Sequence, residues 1–195
     1  MSSKKDKFTP KDKNFMKLAI NLASARKGLT GENPSVGCLI VKNDQIISIG
    51  QTGLNGRPHA EHNAINNSVE NVKGSKMYVT LEPCNHYGKT PPCTNSIIKS
   101  GVSEIIYGMD DIDKKVKGKS FKILSNKKIK VKKGLLKYEA KNLYDSYIVN
   151  RNKKLPFVTA KIAISKNKLI YSKGSKRITH AVSYTHLTLP TSYAV

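Results

Sequence analysis

Apolar positions recur at helical spacing near the start of the chain, at Phe15, Leu18, Ala19, Leu22 and Ala23. Thr9-Pro10-Lys11-Asp12 stands ahead of them. It offers an N-cap, a first-turn proline and a capping-box partner, and Gly28 supplies a stop. The period then shortens. Val36 to Val41 and Gln45 to Ile49 flank Asn43-Asp44 and predict a β-hairpin. A helix is expected from His59 to about Glu70, a strand from Lys76 to Leu81, a helix from Cys93 to Ser100 ended by Gly101, and a strand from Ser103 to Tyr107. Beyond these, Lys119 to Leu124 predicts a helix, Lys128 to Val131 a strand, and Leu135 to Tyr147 one helix with Leu135, Leu136, Leu143 and Tyr147 available to a single face. Strands alternating with helices predict a layered α/β domain with a mostly parallel sheet, closing near Asn150.

Composition narrows the picture. The chain has 195 residues and 38% apolar content, enough for one ordinary domain with a core and some extra length. No apolar run approaches the roughly 20 residues of a membrane helix, and the N-terminal MSSKKDKF has no apolar stretch behind its lysines, as a secretory signal would. Three cysteines, two of them in one loop, point to metal binding in a reducing compartment rather than a disulfide framework. A cytoplasmic protein is expected. The net charge of +22 suggests a polyanionic partner, but only four of the 35 basic residues are arginines, at 26, 57, 151 and 177. The lysines are scattered without interleaved aromatics, which reads as solvated surface. Nucleic acid is therefore not the expected partner, whereas a phosphorylated small substrate suits the positive field.

The chemistry gathers in two segments. His59-Ala60-Glu61 is an H-x-E motif. Thr80-Leu81-Glu82-Pro83-Cys84, after a strand, is followed by Pro91-Pro92-Cys93. One imidazole and two thiolates can hold zinc with one coordination position left for water, and a carboxylate two residues past the imidazole can carry protons. This is the pattern of the zinc deaminases. His59, Cys84 and Cys93 are the candidate metal ligands and Glu61 the candidate proton shuttle. A closed structural zinc site with His86 as fourth ligand would use the same thiols, but would have no need of Glu61. Cys38, inside an apolar strand, reads as a buried inert thiol.

On these residues the chain resembles the deaminase domain of the bifunctional riboflavin biosynthesis deaminase/reductase family. Eight residues separate Cys84 from Cys93, and Asn85-His86-Tyr87-Gly88-Lys89-Thr90-Pro91-Pro92 is similar to that family's loop almost throughout. Asn33-Pro34-Ser35-Val36-Gly37 resembles its N-P-x-V-G segment. The resemblance implies a three-layer α/β/α cytidine-deaminase-like domain with a mixed, mostly parallel sheet and one catalytic zinc. It implies substrate contacts at Asn33, His86 and Lys89. The implied reaction is hydrolysis of the 2-amino group of 2,5-diamino-6-ribosylamino-4(3H)-pyrimidinone 5′-phosphate in riboflavin biosynthesis. Thr52 stands where the family commonly has a histidine, and Asp110-Asp111-Ile112-Asp113 where it tends to have D-P-N or D-P-D. Two other readings stand beside this one, a nucleic-acid base deaminase and a non-catalytic zinc-stabilised module.

The resemblance also divides the chain. Residues 1–150 form the deaminase domain, with Asn150 to Lys154 as a linker. Residues 151–180 resemble the truncated start of a second α/β domain, the reductase, whose first strand would begin at Pro156. NADPH would be a cofactor only with a complete reductase domain, and no reductase activity is expected. Ala181 to Val195 contains no Lys, Arg, Asp or Glu and looks foreign to the family. Apolar Ile162 and Ile164, left uncovered, would favour self-association into a homo-oligomer.

Overall fold

Residues 8–113 and 115–160 are described by the computed structural model. The first helix, α1, spans Pro10–Ala25 and is closed at its start by the expected capping box. Asp12 receives the Thr9 N–H while Thr9 Oγ1 receives that of Asp12. Strands β1 (Gly37–Lys42) and β2 (Gln45–Gln51) form the hairpin. Its turn residues Asn43 and Asp44 both have positive φ, as a two-residue hairpin turn with the native twist requires. Next come α2 (Ala60–Asn66), β3 (Lys76–Leu81), α3 (Cys93–Ser100), β4 (Glu104–Met109), α4 (Lys119–Asn126), β5 (Lys130–Lys133), α5 (Lys137–Leu143) and α6 (Asp145–Lys153).

The sheet order is β2-β1-β3-β4-β5. Strand β1 pairs antiparallel with both β2 and β3, while β3–β4 and β4–β5 are parallel. Four strands thus run one way and β1 alone runs against them, which is the mixed, mostly parallel sheet expected. Alternation along the strands feeds two cores. Cys38, Ile40, Met77, Val79, Ile105 and Tyr107 face one side, where α2, α3 and α4 pack. Leu39, Val41, Tyr78 and Ile106 face the other, where α1 lies beside α5. The result is three layers. Cys38 is fully buried, as its apolar strand predicts. Among the described residues no helix is long and apolar enough to cross a membrane.

Four expectations are corrected. Helix α2 stops at Asn66 rather than near Glu70, because Val69, the one apolar residue between them, has no core to face. Val69 is 95% exposed. The single helix expected from Leu135 to Tyr147 is two helices, broken at Tyr144 (φ −106, ψ 10), with Leu136 in a left-handed conformation ahead of the first. Its four apolar residues serve different cores: Leu135 and Leu136 join the α1 side, Leu143 and Tyr147 the other. The break lets the buried Tyr144 hydroxyl meet Thr80 Oγ1 at 2.6 Å. The supposed linker is mostly the end of α6, which continues through Lys153. Pro156 to Ala160 carries no strand, and the expectations for residues 161–195 lie outside the described residues. Smaller shifts are that β4 extends two residues further and that β5 begins two residues later than its pattern suggests.

Candidate metal centre and its cavity

Close packing sets the first half of the site. A β-carbon on Gly50 of β2 would collide with the Ala60 carbonyl and the Ala64 amide, so the α2 backbone rests directly on the strand. Ser48 Oγ donates to the Ala64 carbonyl at 2.6 Å and Asn63 Nδ2 to the Gln51 carbonyl at 2.7 Å, which fixes the rotation of the helix. His59 is then the N-cap residue, in extended backbone (φ −69, ψ 156), and Glu61 sits in the first turn, 4% exposed. Strand β3 supplies the second half. Three residues past its end stands Cys84, and Cys93 opens α3 after the intervening loop. The backbone N–H of Cys93 donates to Cys84 Sγ at 3.3 Å, and that of Thr94 to the Cys84 carbonyl at 3.1 Å. Two cysteines nine positions apart are thereby stapled at one helix start.

The three side chains converge. His59 Nδ1 lies 3.3 Å from Cys93 Sγ and 3.5 Å from Cys84 Sγ, and the three donor atoms are all within 4.8 Å of one another. Among the described residues this is the one group of three or more His, Cys, Asp or Glu that could hold a metal, and His86 does not belong to it. One imidazole nitrogen and two sulfurs suit zinc, and three protein donors are the number that leaves a position open.

Electrostatics agree with that use. The Cys93 thiol, the His59 ring and the Cys93 amide hold the Cys84 thiol far below its ordinary range despite its burial. Cys93 is pushed up, by its hydrogen bond to Cys84 and by burial. His59 is raised, chiefly by its bond to Cys84. Burial pushes Glu61 up to about 6, with the Cys84 charge adding to the effect.

A cavity opens over this group. His59, Glu61 and Cys84 line it, and so do Asn33 and His86. Asn33 uses its Nδ2 to bind the Gly56 carbonyl at 3.1 Å. Lys89 is exposed on the loop and does not line the cavity. Thr52 is 2% exposed, and its hydroxyl accepts the Val36 N–H at 2.9 Å and donates to the Pro34 carbonyl at 3.2 Å. It holds together the segment that carries Asn33.

Sequence reasoning missed the opposite wall. Glu82 accepts three backbone N–H groups, from Asp111 (3.2 Å), Gly118 (2.9 Å) and Ser120 (3.2 Å), and so ties the loop after β4 to the end of β3. Asp111, Asp113, Tyr147 and Arg151 come from that loop and from α6, and Arg57 from the approach to α2. The Tyr147 hydroxyl donates to Asp111 Oδ1 at 3.3 Å. Arg57 alone had a local signal, as one of four arginines and two residues before the candidate ligand.

Known proteins are similar to this chain in sequence and fold. The family described as the cytidine and deoxycytidylate deaminase zinc-binding region matches residues 9–109. Riboflavin biosynthesis protein RibD of Aquifex aeolicus (strain VF5) is 38% identical over 179 residues, which are 87% of this chain and 50% of that protein. The diaminohydroxyphosphoribosylamino-pyrimidine deaminase of Buchnera aphidicola subsp. Schizaphis graminum (strain Sg) is 42% identical over 146 residues, 75% of this chain and 99% of that protein. Among solved structures, the Thermotoga maritima diaminohydroxyphosphoribosylaminopyrimidine deaminase/5-amino-6-(5-phosphoribosylamino)uracil reductase is 41% identical with a TM-score of 0.69, covering 75% of this chain and 43% of that one. This chain spans about half the length, or less, of the RibD relatives it matches.

Proposed function

The chain belongs to the cytidine and deoxycytidylate deaminase zinc-binding family, and on that basis we propose that it deaminates 2,5-diamino-6-ribosylamino-4(3H)-pyrimidinone 5′-phosphate. The product is 5-amino-6-ribosylamino-2,4(1H,3H)-pyrimidinedione 5′-phosphate, and ammonia leaves. The observation that carries this reading is the convergence of His59, Cys84 and Cys93 beside the buried Glu61 at one cavity. Relatives with diaminohydroxyphosphoribosylamino-pyrimidine deaminase in their names support the choice of ring.

His59, Cys84 and Cys93 would hold the zinc ion, which when bound polarises water and lowers its pKa toward neutrality. Glu61 moves the protons. Its carboxylate takes one from the attacking water and delivers it to a ring nitrogen, then takes the second from the resulting hydroxyl and delivers it to the departing amine, which leaves as ammonia. One C–O bond forms, one C–N bond breaks, and water is exchanged for ammonia. Burial makes Glu61 a stronger base than an exposed carboxylate and confines the proton to the cavity. Asn33 contacts the pyrimidine edge, and His86 faces the ribose phosphate; Lys89, which does not line the cavity, is assigned no contact. The nucleic-acid alternative gains nothing from the fold, since none of the many lysines lines the cavity.

We assign the deaminase to residues 1–150, a segment similar to the opening of a reductase domain to 151–180, and a distinct tail to 181–195. The test is ammonia release from the pyrimidine phosphate by zinc-replete protein. Glu61→Gln is expected to keep its zinc and lose about 10²–10⁴-fold in turnover. Turnover near that of the parent would remove Glu61 from its role, and no ammonia from the parent protein would remove the substrate.

A further inference from the structure

The cations around the cavity are unevenly chosen. Of the 35 basic residues in the chain 31 are lysines, yet no lysine lines the cavity. Its two permanently cationic side chains are arginines, Arg57 and Arg151. They approach from different elements, one from the segment leading into α2 and the other from α6. Each is held by a neutral group. Arg57 Nη1 donates to Thr90 Oγ1 at 2.6 Å, on the Cys84–Cys93 loop, and the Arg151 guanidinium lies 5.5 Å from the centroid of the Tyr147 ring. Neither has a carboxylate partner among the described residues. The cavity's own carboxylates are spoken for: Glu82 by three backbone amides, Asp111 by the Asp113 amide and Tyr147, and Asp113 by the Lys115 amide. Glu61 is buried among the metal ligands.

Two guanidinium groups oriented by neutral contacts, neither in an ion pair with a carboxylate among the described residues, form a receptor for a ligand anion. The planar fork of arginine matches phosphate oxygens in pairs, which a lysine ammonium does not. We propose that Arg57 and Arg151 grip the phosphate of a sugar-phosphate ligand from two sides and set the preference of this site for phosphorylated over unphosphorylated substrate. The proposal rests on the deaminase reading for the identity of the ring, but the grip itself is a property of the cavity. Through Thr90, Arg57 also couples the anion to the loop between the two cysteines, so the phosphate orders the wall that carries the candidate ligands.

Binding of ribose 5-phosphate and of ribose to the intact zinc-replete protein tests the grip without any need for deamination. Titration calorimetry is expected to show ribose 5-phosphate binding at least tenfold more tightly than ribose. Arg57→Gln/Arg151→Gln should abolish the difference while zinc content and melting temperature hold. Arg57→Lys/Arg151→Lys should keep only part of it, because charge without the fork is retained. Thr90→Val, which frees Arg57 from the loop but leaves both guanidiniums, should weaken the preference less than the double glutamine variant does. Equal binding of the two sugars by the parent protein, or an undiminished preference in the double glutamine variant, overturns the proposal. Ammonia release from the pyrimidine phosphate is scored separately. Its absence alongside selective ribose 5-phosphate binding would refute the deaminase reading and leave the grip standing.

Discussion

The two walls of the cavity are built by different means. On the metal wall, each candidate ligand lies at or near the start of a short helix: His59 caps α2, Cys93 opens α3, and Cys84 is tied to that same start. On the far wall, Asp111, Tyr147 and Arg151 are brought in by a loop and by α6, with no chemical signature of their own. The difference teaches how function divides. The metal wall carries chemistry in local motifs, because ligand spacing and helix starts are local properties. The far wall carries shape and charge for the ligand, and its placement depends on long-range contacts such as Glu82 with the 111–120 segment and Tyr144 with Thr80.

The sharpest break of this comparison is Cys93→Ala. With one of three donors gone, the protein is expected to lose zinc in metal analysis and ammonia release with it, whereas Arg151→Gln should keep a full complement of metal. Next is Gly50→Val. The added side chain pushes against the α2 backbone and is expected to cost about 1–3 kcal/mol in denaturant unfolding. It should also lower zinc affinity, because His59 moves with that helix. Glu82→Gln acts on the other wall. It removes acceptor capacity for buried amides at a cost of about 1–3 kcal/mol. Faster hydrogen exchange is expected at Asp111, Gly118 and Ser120, with zinc content unchanged.

The smallest effect lies outside both walls. Burial pushes the Asp12 carboxyl up, but hydrogen bonds from Tyr78 and Thr9 outweigh it and hold the group below its ordinary value. A depressed carboxyl stabilises the fold above its unfolded pKa, and that contribution fades as pH falls through the lower folded value. Asp12→Asn should therefore cost about 1 kcal/mol near neutral pH, and the gap to the parent should close in acid. A gap that widened in acid would reverse the sign assigned here.

Legibility in the sequence follows the same division. The capping box at Thr9, the Asn43-Asp44 hairpin, strand β3 and helix α3 were readable because each is specified by neighbours within a few residues. So was the meeting of His59, Cys84 and Cys93, since an imidazole with a carboxylate two residues on and a paired thiol loop admit few other uses. The break at Tyr144 was not readable. Leu135, Leu143 and Tyr147 fit one helical face by spacing, and only the sheet behind them assigns them to different cores. The cavity role of Arg151 was hidden for the same reason, as it depends on where α6 comes to rest against the metal wall.

The central claim is that one imidazole and two thiolates hold a catalytic zinc with a position left for water. X-ray absorption at the zinc edge of the loaded protein tests it directly. The account predicts two sulfurs, one imidazole and one further oxygen. A second imidazole, a third sulfur, or a protein that takes up no zinc would contradict it.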